Sequence, residues 1–135
     1  MALIQWSDKL SVRVAEIDQQ HQKMIEMINA LTDAIRQGKG DDVIQLILRG
    51  LKSYAEVHFK TEENYFKQFG YPEAQNHKKE HLFFIQKVSE FESGSTGGQL
   101  RLTIQVLQFL SDWLINHILG TDKAYSDCFN QNGLK

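Results

Sequence analysis

Apolar residues recur every three or four positions through four long stretches of the chain, whereas the alternation typical of strands is scarce. This spacing places the apolar side chains on one face of an amphipathic helix. The stripes comprise Ile25, Ile28, Leu31 and Ile35; Ile44, Ile47, Leu51, Ala55, Tyr65 and Phe69; Phe84, Val88 and Phe91; and Val106, Leu110, Trp113 and Leu114. The pattern therefore predicts four long helices, each with one buried face.

Capping residues and helix breakers set the expected limits of these helices. Asp18 and Asp41 can cap the first and second helices, Gly70 can end the second, and Pro72 suits the first turn of the third. The segment SGSTGG, residues 93–98, is the clearest loop. We expect an N-terminal arm over 1–17, helices over about 18–37, 41–69, 72–92 and 99–119, and a short helix over about 121–131.

Helices of this length joined by short loops pack antiparallel to their neighbours. The predicted fold is therefore all-α: an antiparallel up-down-up-down four-helix bundle with an N-terminal arm and a short C-terminal helix. A chain of 135 residues is long enough for one sizeable core. We expect a single domain over 1–135.

All five histidines fall in the inward-facing registers of the predicted helices. They are His21, His58, His77, His81 and His117, and Glu62 lies one turn after His58. In an alternating bundle, the first and third helices start at the end where the second and fourth helices finish. The histidines lie early in the first and third helices and late in the second and fourth, so all five should meet in one layer.

Unpaired imidazoles and a carboxylate in one core would carry a large desolvation cost. A metal centre removes that cost, because imidazole and carboxylate are good ligands for iron, zinc or manganese. Five histidines and Glu62 exceed the ligands that one four-coordinate zinc requires. The sequence therefore predicts a buried metal centre in the bundle.

Asp122 follows His117 by five residues. In an α-helix, five steps of about 100° leave the two side chains roughly 140° apart around the helix axis, so they lie on different faces. We therefore expect the fourth helix to stop at Gly120, so that Asp122 turns back across the end of the bundle. If Glu62 and Asp122 both bridge two metals together with a solvent-derived oxygen, the metal with three histidines is six-coordinate. The metal with two histidines then keeps one open position, which suits the binding of a small molecule.

The identity, order and spacing of these residues resemble the ligand set of the hemerythrin family. The matching pattern is His21, His58-x-x-x-Glu62, His77-x-x-x-His81 and His117-x-x-x-x-Asp122, within the words EIDQQH, HFKTEE, NHKKEH and DWLINHI. The resemblance runs from the arm at Trp6 to about Tyr125 and is to single-domain bacterial members. It implies an oxo- or hydroxo-bridged pair of non-heme iron ions that binds O2 reversibly, in a protein that is not an enzyme.

The same resemblance implies a role for each residue. His77, His81 and His117 would hold the saturated iron. The open iron would be held by His21 and His58, with Glu62 and Asp122 as bridges. The expected apolar wall of the O2 pocket, which would exclude water, comprises Met24, Phe59, Trp113, Leu114 and Ile118. Tyr125 either forms a hydrogen bond close to the metals or packs in the core.

Other readings of the motifs remain. NHKKEH contains H-x-x-E-H, the inverted zinc-peptidase motif, but a peptidase would leave three inward histidines without a role, and we expect Glu80 to be a surface acid. No Glu-x-x-His motif is present, although paired motifs of this kind mark di-iron carboxylate oxidases. The alternatives that keep the metal site are O2 or redox sensing and iron storage.

Composition and charge narrow the expected partners. The formal net charge of −2 comes without a basic stripe, which disfavours nucleic acid. The single cysteine, Cys128, allows no internal disulfide and fits a reducing compartment. No apolar run approaches the roughly 18 residues of a membrane span, and the start lacks the features of a secretory signal. We expect a cytoplasmic monomer whose partners are O2 and an oxygen-consuming enzyme.

Overall fold

The computed structural model describes residues 4–93 and 99–135, and within these ranges it contains helices and no strand. Four long helices form the predicted all-α four-helix bundle, so the expected fold class is confirmed. The elements are a 3₁₀ turn Asp8–Leu10, α1 Ala15–Arg36, α2 Gly40–Phe69, α3 Ala74–Ser93, α4 Gln99–Trp113, a π-helical segment Leu114–Asp122, a 3₁₀ turn Lys123–Tyr125 and α5 Ser126–Gln131. The predicted loop lies outside the described residues, apart from Ser93 at the end of α3. No described helix has the length and apolarity of a membrane span.

The N-terminal arm is shorter than predicted, because α1 begins at Ala15 and includes Asp18 in its first turn. Asp18 does not cap the helix. Its carboxylate accepts hydrogen bonds from the Ser11 hydroxyl at 2.5 Å and from the Val12 backbone N–H at 2.9 Å. Asp18 therefore fixes the end of the arm against the start of α1.

The next two helices also begin at residues other than those predicted. α2 begins at Gly40, so that Asp41 lies inside its first turn. A Cβ atom at Gly40 would lie 2.9 Å from Cγ2 of Thr103, and glycine therefore lets α2 start close to α4. α3 begins at Ala74, two residues after Pro72.

Two apolar clusters fill the interior, and the histidines lie between them. The larger cluster joins α1, α2, α3 and α4, and its Phe59 ring stacks on His81 with 3.9 Å between ring centroids. The smaller cluster joins the arm, α1, α2 and the C-terminal segment, and its Phe66 ring lies 4.8 Å from that of His77. The smaller cluster comprises Val12, Val14, Ile17, Phe66, Tyr125 and Phe129.

The segment that carries His117 and Asp122 is a π-helix, and the predicted break at Gly120 is wrong. Winding continues from α4 through Gly120 to Asp122, and Gly120 has no positive φ. In a π-helix the hydrogen bonds span five residues instead of four, so residues five apart come close in space. The wider turn, and not a reversal of the chain, therefore brings Asp122 next to His117.

Alanine substitution at two glycines tests this path of the backbone. We expect Gly120→Ala to raise the free energy of unfolding by about 0.5–1 kcal/mol, because helical glycine carries an entropic cost and no atom lies within 4 Å of the added Cβ. Gly70→Ala is the matched control, since Gly70 ends α2 with a φ of 64°. Gly70→Ala should lower the free energy of unfolding by about 1 kcal/mol or more, because a residue with a Cβ is strained at this φ. Urea unfolding of the metal-free protein measures both, and a loss of stability in Gly120→Ala would contradict the continuous helix.

Candidate metal centre

The structure brings together all seven side chains that the sequence singled out as candidate metal ligands. Each is at most 1% exposed. Their ligand atoms form two groups, and within each group all atoms lie within 4.8 Å of one another. Glu62 and Asp122 belong to both groups. The three-histidine group consists of His77, His81 and His117 with the two carboxylates, and the two-histidine group consists of His21 and His58 with the same carboxylates.

Asp122 faces the two groups with different oxygen atoms. Its Oδ2 lies 2.9 Å from Nε2 of His21. Its Oδ1 lies 2.8 Å from Nε2 of His77 and 2.9 Å from Nε2 of His117. A carboxylate with one oxygen toward each group can contact a cation at either group.

Glu62 meets both groups with a single oxygen. Its Oε1 lies 2.9 Å from Nε2 of His81 and 3.3 Å from Nε2 of His58. Its Oε2 accepts a 2.5 Å hydrogen bond from the hydroxyl of Tyr125, which is itself fully buried. Of the two roles that the sequence left open for Tyr125, the structure therefore shows a hydrogen bond to the centre.

Several buried atoms of the centre are close to one another without being hydrogen-bonded. Nε2 of His77, Nε2 of His117 and Oδ1 of Asp122 have no partner in hydrogen-bonding geometry, although 2.8–2.9 Å separates the nitrogens from the oxygen. Buried polar atoms without partners are costly. A cation among them would satisfy all three, and nitrogen and carboxylate donors suit iron, zinc or manganese. The residues therefore fit a metal centre.

Three of the five histidines donate a hydrogen bond from Nδ1, the ring nitrogen that faces away from the centre, to a side chain outside the ligand set. The acceptor is Gln20 Oε1 at 2.7 Å for His58, Glu63 Oε2 at 2.8 Å for His81, and Glu80 Oε1 at 2.8 Å for His117. Such contacts fix the tautomer, so that Nε2 carries the lone pair toward the metal.

Glu80 is therefore not the surface acid that the sequence predicted. Besides the contact with His117, its carboxylate accepts a hydrogen bond from the Thr121 hydroxyl at 2.9 Å. The apolar periodicity could not reveal this role, because the side chain of Glu80 remains 41% exposed. The only sequence signal for this role of Glu80 was its place directly before His81 in the motif NHKKEH.

The buried carboxylates and histidines of the centre shift one another's pKa values. Burial and Asp122 both raise the pKa of Glu62, but its contacts with His58, His77 and His81 outweigh them and bring it to about 2. Burial lowers the pKa of His77, but contacts with Asp122 and Glu62 outweigh burial and raise it to about 10. Without a metal, a proton on His77 therefore takes the place of a cation between the carboxylates.

The five predicted wall residues are all buried in the larger apolar cluster: Met24, Phe59, Trp113, Leu114 and Ile118. Two of them contact ligand candidates of the three-histidine group. The rings of Phe59 and His81 are nearly parallel, at 7°, and Trp113 stacks on His117 with 3.9 Å between ring centroids.

Two aromatic residues next to the centre were not among the sequence candidates: Phe66, whose ring lies 4.8 Å from that of His77, and Tyr54. Tyr54 stacks on His58 with 5.0 Å between ring centroids and 19° between ring planes. Its position one turn before His58 on α2 was the available signal.

Fold and site together define a class of protein: a helical bundle whose facing helices supply a buried set of metal ligands. The family model described as the hemerythrin HHE cation binding domain matches residues 12–128 of the chain. The chain therefore belongs to the hemerythrin family, and it is a metal-binding protein of the hemerythrin type.

Similar proteins carry the same family name over nearly the whole chain. A bacteriohemerythrin of Stenotrophomonas maltophilia is 36% identical, over 94% of this chain and 82% of that protein. A bacteriohemerythrin of Clostridium acetobutylicum is 33% identical, over 90% of this chain and 98% of its own length. The crystal structure of a wild-type hemerythrin superposes with a TM-score of 0.74 at 31% identity, covering 94% of this chain and 98% of that one.

The pKa values of the centre predict how the stability of the metal-free protein depends on pH. The raised pKa of His77 stabilises the fold fully below its ordinary value of 6.5, and this contribution is lost as the pH rises through about 10. The lowered pKa of Glu62 stabilises the fold fully above the ordinary value of 4.5, and this contribution is lost as the pH falls through about 2. We expect the free energy of unfolding of the metal-free protein to fall between pH 7 and 10 in chemical denaturation.

The metal-loaded protein is the control for this titration. A bound metal ion would take the place of the proton between the carboxylates. The free energy of unfolding should then fall less between pH 7 and pH 10 than it does without metal. A metal-free protein whose stability is constant from pH 7 to pH 10 would contradict the pairing of His77 with Asp122 and Glu62.

Glu80 gives a prediction for metal affinity. Glu80→Ala should weaken metal binding by about 10–100-fold, as expected when the group that orients a ligating histidine is removed. Glu90→Ala, on the same helix, is the matched control, since Glu90 pairs with Lys87 at the surface. Competition with a chelator measures both affinities. Equal affinities in the two variants would show that the contact with His117 has no effect on the metal.

Proposed function

We propose that this protein holds two iron ions at the seven-residue centre and binds O2 reversibly there, in oxygen carriage, storage or delivery and not as an enzyme. The observation that carries the proposal is the division of the buried ligand atoms into two groups that share Glu62 and Asp122. One ion requires one group, whereas two groups with shared carboxylates suit a bridged pair. Membership of the hemerythrin family supports the same reading.

In this proposal His77, His81 and His117 hold one iron, and His21 and His58 hold the other. A pair of irons there would supply the two electrons that reversible O2 binding requires. Because the second group offers one histidine fewer, an iron held by it would have fewer protein ligands and would be the one able to take up a small molecule. Asp122 supports the presence of two ions, because each of its oxygens faces a different group.

The protein's own residues would favour binding over turnover by excluding water and by fixing the ligands. Met24, Phe59 and Ile118 are buried in the larger apolar cluster, and Phe59 stacks on His81; apolar side chains at the site would keep water and protons away from it. Gln20, Glu63 and Glu80 hold three imidazoles in fixed orientations. Two buried carboxylates, where di-iron oxidases use four, leave the irons less electron-rich and disfavour cleavage of the O–O bond.

Anaerobic reduction followed by admission of O2 tests the proposal. We expect two irons per chain and an absorption band that appears with O2 and disappears when O2 is removed. A single zinc per chain, or irreversible bleaching without an oxygenated species, would contradict O2 carriage.

The shared carboxylate gives the matching mutational test. Asp122→Ala should reduce the iron content below two per chain, because both groups lose a ligand. Asp112→Ala is the control, since Asp112 is exposed and accepts a hydrogen bond from Gln108 on the same helix. Metal analysis after loading measures both, and two irons in Asp122→Ala with normal O2 binding would show that Asp122 is not a bridge.

A further inference from the structure

The hydroxyl of Tyr54 is buried and, within the described part of the chain, has no hydrogen-bond partner. An unpartnered buried hydroxyl destabilises a protein, and phenylalanine would fill the same volume without that cost. Native structures contain few such groups, and each requires an explanation. Packing alone therefore does not account for a tyrosine at this position.

Tyr54 lies directly beside the metal centre. It precedes His58 by one turn on the same face of α2, and the two rings are stacked with 5.0 Å between centroids. A phenolic hydroxyl carries one proton that it can donate in a hydrogen bond.

The ring of Tyr54 packs among apolar side chains of the bundle. The Tyr54 ring lies 6.2 Å from the rings of Phe59 and Phe84, and all three belong to the larger apolar cluster together with Met24. Within this cluster, the indole N–H of Trp113 is a second buried donor without a partner. The Trp113 ring stacks on His117, on the three-histidine side, whereas Tyr54 stacks on the two-histidine side.

We propose that the Tyr54 hydroxyl donates a hydrogen bond to the small ligand that binds at the two-histidine side of the centre. This inference rests on the proposed function, since it requires an iron with an open position there. A donor in an apolar pocket selects ligands that carry an acceptor atom, such as O2 and linear anions, and binds them more tightly than apolar walls alone would. Tyr54 is thus a residue that determines ligand affinity in this chain.

Azide is a suitable probe, because it is a small anion with an acceptor atom at each end. Tyr54→Phe should raise the Kd for azide of the oxidised, iron-loaded protein by about tenfold or more, the effect of losing a hydrogen bond to a charged acceptor. The infrared stretch of bound azide should shift between H2O and D2O in the parent protein but not in Tyr54→Phe. Tyr65→Phe is the control for both measurements, since Tyr65 lies on the same helix and donates to Glu16.

Unfolding of the metal-free protein provides a readout that does not depend on iron. Tyr54→Phe should be at least as stable as the parent, because its hydroxyl has no partner to lose. Tyr125→Phe should be less stable, because it removes the donor to Glu62. An equal loss in both variants would show that Tyr54 has a partner, such as a buried water, and would overturn the inference.

The outcomes also separate this inference from the proposed function. A parent protein that holds two irons, combined with unchanged azide affinity and unchanged infrared shift in Tyr54→Phe, overturns the role of Tyr54 alone. A parent protein that does not hold two irons overturns both.

Discussion

Burial of two carboxylates among five imidazoles is the interaction on which the rest of the structure depends. Glu62 and Asp122 are fully buried, and ionised groups in a protein interior are strongly unfavourable unless they are paired. Helices α1, α2, α3 and the π-helical segment each supply imidazoles to that pairing. The bundle therefore does more than enclose the centre. Its helix registers are set so that charges of opposite sign, or a cation in their place, meet in one layer between two apolar clusters.

The π-helical segment shows how one local change of winding adapts an ordinary helix to this requirement. A continuous α-helix would present His117 and Asp122 on different faces, roughly 140° apart. Wider winding over Leu114–Asp122 directs both side chains inward while Trp113, Leu114 and Ile118 stay buried in the core. π-Helical turns are rare and are found frequently at functional sites, and here the reason is geometric.

The fold and six of the seven candidate ligands could be predicted because they follow from periodicity, whereas Asp122 is out of register with His117 and was identified from the pattern of the whole ligand set. Helical spacing identified the inward faces, and five histidines on those faces indicated one layer. The path at Gly120 could not be predicted, because the spacing of apolar residues does not reveal the size of the hydrogen-bonded ring. Gln20, Glu63 and Glu80 were not predicted for a different reason. Their side chains accept hydrogen bonds from Nδ1 of the histidines, but they lie at partly exposed positions, where polar residues are ordinary. Tyr54 resembled core packing, and only the missing partner of its hydroxyl distinguishes it.

The smaller apolar cluster has a consequence for how the protein is made. Val12 and Val14 of the arm pack there with Tyr125 and Phe129, which lie more than 100 residues further along the chain. His117 and Asp122 follow the other five candidate ligands in the sequence. During synthesis, a partly made chain exposes His21, His58 and the first turns of α3 without the residues that complete either ligand group. A centre with all seven side chains therefore forms only after the chain has been synthesised through Asp122, and a metal ion bound earlier would meet an incomplete ligand set.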